Sequence, residues 1–283
     1  FIPTRYEEGY GISSETIDDF ARQGVKLVII LDCGIKANVE IAHAREHGID
    51  FIICDHHVPD DELPQAVAIL NPKMPGSTYP CPHLSGCGVG YKLMQAFSIS
   101  NGIPQADLEG MLDLVAVSIA ADIVPMVDEN RVMTFYGLRR LNSNPNMGLR
   151  AIIRICGLTG KEITISDVIF KIGPRINASG RMQSGREAVD LLVSRDITDA
   201  YQKARNIDQY NKDRKELDRR ITEEANAILS QRIEAGSNKK SIVIFNKDWH
   251  KGIIGIVASR LTELYYKPSV VLTLSNGLAT GSS

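Results

Sequence analysis

The sequence predicts an α/β protein built on a Rossmann-like parallel sheet. Two short apolar runs, Val25–Leu31 and Phe51–Cys54, have the composition of buried strands, and each ends directly on an aspartate. Between them, residues 38–46 favour a helix, and Gly48 is a candidate C-cap. Strand, helix and strand within about 30 residues form a βαβ unit, which implies parallel strands covered on both faces.

Further elements extend this unit. An amphipathic helix is predicted before the first strand, and a third short strand is expected to end at Pro72. A loop rich in Pro, Gly and Cys then precedes a mainly helical region. The predicted helical stretches are Ile12–Gln23, Gly90–Ile99, Leu108–Ala121 and Arg131–Leu158, the last punctuated by glycines.

The segment Asp199–Ala235 contains no Gly or Pro, and its first half is dense with charges of both signs. It is predicted to form one long, solvent-washed helix that joins two domains. One apolar face of this helix is marked by Leu217, Ile221, Ala225, Ile228 and Leu229. A second α/β unit then begins with strand Ser241–Phe245 and helix Ile254–Leu264. The expected organisation is a parallel-sheet domain (1–195), a connecting helix (196–236) and the start of a smaller α/β domain (237–283).

Composition indicates the kind of cellular environment in which the protein is expected to work. No apolar run approaches the roughly 20 residues that a bilayer-spanning helix needs, so no membrane association is expected. The five cysteines are odd in number and irregular in spacing, which favours a reduced, cytoplasmic protein over a disulfide framework. The cluster Cys81, His83 and Cys87 could suggest zinc, but it lacks a fourth ligand nearby.

The net charge of −2 hides an asymmetry. Residues 1–145 carry 10 basic and 19 acidic side chains, whereas residues 146–283 carry 22 basic and 15 acidic ones. An acidic half suits cation binding, and a basic half suits a polyanionic substrate. Chance surface composition explains the asymmetry equally well until motifs are considered.

Candidate chemistry gathers at the predicted strand ends. Asp32 and Asp55 follow neighbouring parallel strands, so they should lie at one edge of the sheet, where ligands bind in such folds. His56 and His57 extend the second strand, and Asp122 ends an apolar helix. Single residues of this kind commonly cap helices or pack. Together they suit Mn²⁺ or Mg²⁺, and two such ions about 4 Å apart can hold a phosphoryl group.

At this point the sequence resembles a known family. Asp32-Cys33-Gly34, Asp55-His56-His57 and Ala121-Asp122 resemble three metal motifs of the DHH phosphoesterase superfamily. Longer stretches resemble its RecJ branch, the exonucleases specific for single-stranded DNA. These stretches are residues 2–11, 85–92, 172–181 and 249–258.

The resemblance implies roles for the candidate metal residues. Asp32 is expected to bridge two metal ions, and His56 and Asp122 are expected to bind the second ion. His57 would face the scissile phosphate. Asp55 would support the histidines from behind, as metal sites usually require.

The same resemblance implies DNA contacts. Arg175 and Arg181 bracket Asn177 in what is expected to be a tight Gly/Pro loop, and their guanidinium groups would clamp DNA phosphate. A surface salt bridge is the structural alternative.

Three further residues are candidates for the same surface. His250 and Lys251 precede a predicted helix whose N-terminal amides could hold phosphate. Arg5 is a further candidate contact with the strand. Residues 280–283 resemble the start of a Gly/Ser-rich nucleic-acid-binding motif.

The resemblance implies a metal-dependent 5′→3′ exonuclease that hydrolyses single-stranded DNA to mononucleotides in DNA repair and recombination. Its expected partners are single-stranded DNA and, among proteins, a single-strand-binding protein or a helicase; the sequence does not indicate an oligomeric state. One alternative is a DHH-family phosphodiesterase for oligonucleotides or cyclic dinucleotides. Another is a non-catalytic DNA-binding relative.

One family motif is missing from the sequence. The first DHH motif, an Asp-x-Asp segment at the end of the first strand, should precede Phe1. The C-terminal domain also looks incomplete, and the family's oligonucleotide-binding domain is not present. We therefore expect the 283-residue chain alone to have little or no nuclease activity.

Overall fold

A computed structural model describes residues 1–3, 11–234 and 239–283, and it confirms the α/β fold. Within these residues the strands are β1 (Leu27–Leu31), β2 (Asp50–Cys54), β3 (Ala68–Leu70), β4 (Ile242–Phe245), β5 (Ser269–Ser275) and β6 (Leu278–Ser282). The helices are α1 (Ser14–Arg22), α2 (Asn38–Glu46), α3 (Gly86–Ser100), α4 (Ala106–Glu109), α5 (Leu112–Ala121), α6 (Asp128–Ser143), α7 (Met147–Ile155), α8 (Ile165–Asp167), α9 (Gly173–Met182), α10 (Gly185–Leu192), α11 (Ile197–Glu234) and α12 (Lys251–Tyr265). A π-helical turn, Val168–Ile172, precedes α9.

The first sheet has the order β1-β2-β3, and all its strands are parallel. Alternate residues of β2 point to opposite faces, which gives the sheet two separate cores. Phe51 and Ile53 pack with α1 and α2, whereas Cys54 packs with α3 and α5. The strands therefore end together at one edge, as the sequence predicts for Asp32 and Asp55.

Among the described strands, β1 lies at an edge of this sheet and is incompletely covered on one face. Leu27, Ile29 and Leu31 are each about half exposed, at 50%, 50% and 53%. Ile30, which points to the opposite face, is only 9% exposed. The apolar composition of β1 is therefore not matched by burial on the side of Leu27, Ile29 and Leu31.

Helices α5, α6, α7 and α10 form a helical layer between the first sheet and α11. Helices α5 and α6 pack tightly because Gly137 lets their backbones approach. The surrounding core draws on α5, α6, α7, the π-helical turn, α10 and α11. Its fully buried members include Leu149, Ala151, Ile152, Val168, Ile172, Leu191, Ala200, Ala204 and Ile207.

Helix α11 contains 38 residues, which at 1.5 Å per residue makes it about 57 Å long. The prediction of one long helix is confirmed, and so is the apolar face that includes Ile221 and Ala225, which are buried against the second sheet. The first half of the helix is less exposed to solvent than predicted, because Ala200, Ala204 and Ile207 are buried in the helical layer. The dense charges around these three residues conceal this part of the stripe in the sequence.

The second sheet has the order β4-β5-β6 and is covered by α12 and the end of α11. Strands β4 and β5 are parallel, whereas β5 and β6 form an antiparallel hairpin. Its turn uses Asn276 and Gly277, both with positive φ. Strand β6, which contains most of the Gly/Ser-rich segment, was not predicted from the sequence.

The predicted loop around Arg175 is wrong, because these residues form helix α9. Pro174 lies near the start of α9, where its missing N–H costs little. Because the π-helical turn leads directly into α9, no N-cap signal marks the boundary in the sequence.

The division of the chain at residues 195 and 236 remains a proposal. Helix α11 begins at Ile197 and contributes side chains to the core of the helical layer and to the core of the second sheet. It is therefore more than a spacer between domains. Among the described residues, none of the helices is both long and apolar enough to span a membrane.

We predict that Gly137→Ala destabilises the fold. A Cβ atom on Gly137 would lie 2.5 Å from Ala116 Cβ and closer still to the carbonyl oxygen of Leu112. Alanine gains about 1 kcal/mol of helix propensity, but overpacking costs about 1–3 kcal/mol and backbone cannot move aside cheaply. Urea unfolding should show a net loss of stability. The control is Gly110→Ala, where the nearest atom is 3.6 Å away, and equal effects of the two substitutions would contradict the prediction.

Candidate metal centre and DNA-contact residues

Asp32 follows β1 directly and adopts a left-handed backbone conformation, with φ of 64°. Its N–H donates to the carbonyl oxygen of Cys54, at 2.8 Å, which fixes the end of β1 against β2. Left-handed φ is costly for a residue with a Cβ atom, although aspartate tolerates it better than most. The side chain is 60% exposed and projects from the edge of the sheet.

Gly86, the first residue of α3, packs directly against the Asp32 side chain. A Cβ atom on Gly86 would lie only 2.5 Å from Asp32 Cβ. Ser85 caps the helix, and its Oγ accepts from the N–H of Gly88 at 3.1 Å. The positive end of the α3 dipole thus lies beside the Asp32 carboxylate, which stabilises its charge.

His56 lies between two carboxylates. Its Nε2 is 3.2 Å from Asp32 Oδ1 and 3.3 Å from Asp122 Oδ2, and its side chain is 8% exposed. Neither contact has hydrogen-bond geometry, and both ring nitrogens lack a hydrogen-bond partner among the described residues. The Asp32 carboxylate raises the pKa of His56 above its usual 6.5, burial opposes this, and Asp122 adds to it. The same negative field attracts a cation.

Asp55 is 1% exposed, and its carboxylate is occupied by hydrogen bonds from neighbouring groups. Its Oδ2 accepts from the N–H of Ile35 at 3.0 Å, and its Oδ1 accepts from the N–H groups of His56 and His57 at 2.7 and 3.1 Å. Burial raises the pKa of the Asp55 carboxyl, but hydrogen bonds from the His57 side chain and these amides outweigh burial and lower the pKa below its ordinary value. Asp55 is therefore an anionic anchor for the loops that follow β1 and β2.

The His57 ring is oriented by Asp55 and is 57% exposed. Its Nδ1 lies 2.7 Å from Asp55 Oδ1, so a proton on Nδ1 completes the hydrogen bond and leaves Nε2 as the acceptor. Asp32, His56 and His57 can each offer a ligand atom within 4.8 Å of one another. Geometry alone therefore allows His57 to bind a metal as well as to contact substrate.

Asp122 reaches the cluster from the end of α5, where it is the C-cap residue and 40% exposed. Helix α9 starts beside it, because Gly173 packs against Ala121 with a Cβ clearance of 3.4 Å. The structure thus brings together the five residues predicted for metal chemistry: Asp32, Asp55, His56, His57 and Asp122.

The candidate DNA-contact residues, unlike the metal cluster, differ from one another in exposure and in hydrogen-bond partners. Arg175 Nε donates to Asp208 Oδ1 and its Nη1 donates to the Lys171 carbonyl oxygen, both at 2.8 Å, so Arg175 joins α9 to α11. Its side chain is only 18% exposed. Asn177 is exposed on the same helix. This ion pair is the structural alternative noted from the sequence, and a phosphate contact by Arg175 remains a prediction.

Arg181 links helix α9 to helix α12. Its Nη1 donates to the carbonyl oxygen of Gly252 at 3.3 Å, in the first turn of α12. His250 caps that helix, with its Nδ1 accepting from the N–H of Gly252 at 3.2 Å. Arg181, His250 and Lys251 therefore lie near one helix N-terminus, whereas Arg5 lies outside the described residues.

Comparisons with known proteins find relatives of this chain. Residues 1–119 match the model of the DHH family, N-terminal domain. The whole chain is 39% identical over 285 residues to the single-stranded-DNA-specific exonuclease RecJ of Bacillus subtilis, and it covers 35% of that protein. It is 33% identical over 294 residues to RecJ of Escherichia coli, with 99% of the chain and 51% of the relative covered. The first 119 residues are therefore similar to the N-terminal domain of the DHH family, and the chain as a whole is similar to RecJ proteins.

Solved structures of RecJ have a fold similar to that of this chain. An exonuclease RecJ bound to manganese matches with a TM-score of 0.84 at 29% identity, covering 100% of this chain and 69% of that one. RecJ in complex with Mn²⁺ from Thermus thermophilus matches with a TM-score of 0.80 at 29% identity, covering 96% of this chain and 40% of that one. The chain spans about a third to a half of the length of the curated relatives it matches.

Two positioning residues of the site were not predicted from the sequence. Gly86 lies within a glycine-rich stretch, but its contact with Asp32 joins segments 54 residues apart and is invisible locally. Asn71, 5% exposed, follows β3, and its Nδ2 donates to the His57 carbonyl oxygen at 2.9 Å. A polar residue at the carboxyl end of a third parallel strand is the available signal for Asn71.

We predict that Gly86→Ala weakens metal binding because the new methyl group must displace Asp32. The affinity for Mn²⁺ should fall at least about tenfold, as supporting residues of metal sites typically contribute that much. Isothermal titration of Mn²⁺ into wild type and variant measures the change. Gly110→Ala serves as the control with room for its methyl group, and unchanged Mn²⁺ affinity in Gly86→Ala would refute the proposed contact.

We predict a pH-dependent role for His250. Burial lowers its pKa below 6.5, so protons bind preferentially to the unfolded chain, and stability should fall as pH drops from above 6.5 towards the folded pKa. His250→Asn keeps a good helix cap but does not titrate. Urea unfolding near pH 7.5 should give similar stabilities, and near pH 5.5 the wild type should lose more. Identical pH slopes would contradict this.

Proposed function

We propose that the protein containing this chain is a metal-dependent exonuclease that hydrolyses single-stranded DNA from the 5′ end to mononucleotides. The observation that carries this proposal is His56 Nε2, buried without a hydrogen bond between the carboxylates of Asp32 and Asp122. The names of the similar RecJ proteins support the choice of substrate.

The residues present fit a divalent ion. Ligand atoms about 2.1 Å from one ion and at right angles to each other lie about 3.0 Å apart. The distances from His56 Nε2 to Asp32 Oδ1 and Asp122 Oδ2, 3.2 and 3.3 Å, are close to that value. Two carboxylates and an imidazole suit Mn²⁺ or Mg²⁺, and no thiolate belongs to the set.

In this proposal Asp32, His56 and Asp122 would hold divalent metal. Divalent ions bound there would supply charge neutralisation at the phosphodiester and would lower the pKa of water. His57 contacts the scissile phosphate through Nε2. Asp55 acts only through its neighbours, since its hydrogen bonds set the direction of the His57 ring and the path of the backbone at His56.

The proposed DNA path runs along α9 to the start of α12. Arg181 and Lys251 supply positive charge near the α12 N-terminus, where amide groups favour phosphate. Asn177 adds an exposed amide on the same helix as Arg181. Arg175 contributes after exchange of its Asp208 partner, or through the part of its guanidinium group that Asp208 does not use.

We further propose a reducing, cytoplasmic setting. All five cysteines are free. Burial raises the pKa of the thiols of Cys33, Cys54 and Cys87 to about 11, so these thiols stay protonated near neutral pH. Protonated, buried thiols neither bind metal nor exchange disulfides readily.

The proposal is tested with the full-length protein and 5′-labelled single-stranded DNA in the presence of Mn²⁺. Asp32→Ala should lower cleavage by at least about 10³-fold, because several kcal/mol of charge stabilisation are lost. DNA binding should persist, since Asp32 is not among the proposed DNA contacts. The matched control is Asp50→Ala, which removes an exposed carboxylate from the opposite end of β2.

The outcomes separate the alternatives. Normal cleavage by Asp32→Ala would show that the metal assignment is wrong. Preferential hydrolysis of a cyclic dinucleotide or a short oligonucleotide would indicate the other DHH phosphodiesterase classes. Tight binding of single-stranded DNA by the wild type without any Mn²⁺- or Mg²⁺-dependent cleavage would indicate a non-catalytic relative.

A further inference from the structure

A second cluster of potential ligands lies outside the site described above. Asp18 on α1 faces His43 and His47 from α2, and their ligand atoms all lie within 4.8 Å of one another. His43 Nε2 is 2.7 Å from Asp18 Oδ1, and His47 Nε2 is 3.5 Å from the same oxygen. Two imidazoles and a carboxylate thus converge on one point of the surface.

The fold explains this convergence. His43 and His47 are four residues apart, so the helical repeat places them on one face of α2. The rings stand edge to face, with centroids 4.7 Å apart. Helix α1 is held beside α2 by Ile17, which packs in the same core as Ile41, and Asp18 is the next residue along α1. The backbone arrangement of the cluster is therefore fixed by buried contacts.

The cluster lies far along the sheet from Asp32. Helix α2 leaves the carboxyl end of β1 and returns towards the amino end of β2, which begins at Asp50. His43 and His47 occupy the second half of α2 and its C-cap, so they lie towards the edge opposite the Asp32 cluster. The two groups share no residue.

The distances fit a tetrahedral ion. Ligand atoms about 2.0–2.1 Å from zinc lie about 3.3 Å apart in a tetrahedral site. The contact between His47 Nε2 and Asp18 Oδ1 already has this spacing, and the one between His43 and Asp18 needs to open by about half an ångström. The side chains are 30–46% exposed, so a rotation can supply this, and water can take a fourth position.

A further carboxylate supports the arrangement. Glu46 Oε2 lies 3.9 Å from His43 Nδ1, and the other ring nitrogen of His43 faces Asp18. A small rotation of the exposed Glu46 side chain would let it accept from Nδ1 of a ligating His43, an arrangement that fixes the tautomer of metal-binding histidines. Without a metal ion, His43 and Asp18 would form only a surface ion pair, which is the alternative interpretation of the cluster.

We propose that Asp18, His43 and His47 form a zinc site that joins α1 to α2. Imidazole-rich sites bind late first-row ions more tightly than Mn²⁺ or Mg²⁺, so this site and the Asp32 cluster should differ in metal preference. Occupancy stabilises the folded state, since all three ligands converge only when α1 packs on α2. The inference does not depend on the proposed nuclease activity.

The test is a Zn²⁺ titration of chelator-treated protein that carries Asp32→Asn and His56→Asn, which disable the first centre. Calorimetry should show one bound Zn²⁺, and thermal unfolding should shift to higher temperature as Zn²⁺ is added. Adding His47→Asn or Asp18→Asn should weaken Zn²⁺ binding at least about tenfold and remove the shift. His83→Asn is the matched control, because it removes a histidine that lies outside both clusters.

Two results would overturn the proposal. One is the absence of Zn²⁺ binding in the protein with the first centre disabled. The other is retention of binding and of the thermal shift after His47→Asn. A purely structural ion pair predicts the opposite pattern, in which Asp18→Asn lowers stability without Zn²⁺ and added Zn²⁺ changes nothing.

Discussion

The arrangement at the edge of the first sheet depends on one buried carboxylate, that of Asp55. Four donor groups surround it, from the amides of Ile35, His56 and His57 and from the His57 ring. Hydrogen bonds to a charged group contribute about 1.5–3 kcal/mol each, enough together to offset the loss of water around the carboxylate. The loop after β1 and the histidine pair after β2 therefore hold one geometry, and both the Asp32 position and the His57 ring follow from it.

The sequence was sufficient for those parts of the site that follow from local pattern and sheet geometry. Apolar runs that end on Asp32 and Asp55 placed both residues at one edge, since parallel strands share a direction. Placing Asp122 in the site required only that an apolar helix should end near that edge. The family resemblance then assigned separate roles to His56 and His57, which composition could not distinguish.

The rest of the site arises from contacts between distant segments, which no local pattern encodes. Arg175 and Asp208 are 33 residues apart, and their ion pair exists because α9 packs against α11. In the sequence, Gly86 is only one of several neighbouring glycines. The structure is needed to show that it packs against Asp32. In α11 the sequence shows the apolar face around Ile221 and Ala225, but the dense charges around Ala200 hide the buried stripe of the first half.

The half-exposed face of β1 has a consequence for the behaviour of the chain in solution. Leu27, Ile29 and Leu31 present apolar side chains on a strand whose outer edge is unpaired among the described residues. Unprotected strands of this kind recruit other strands, and no charged residue interrupts the apolar run of β1 itself. At high concentration these residues are the natural starting point for edge-to-edge association, so a layer that covers β1 would protect solubility as well as complete the core.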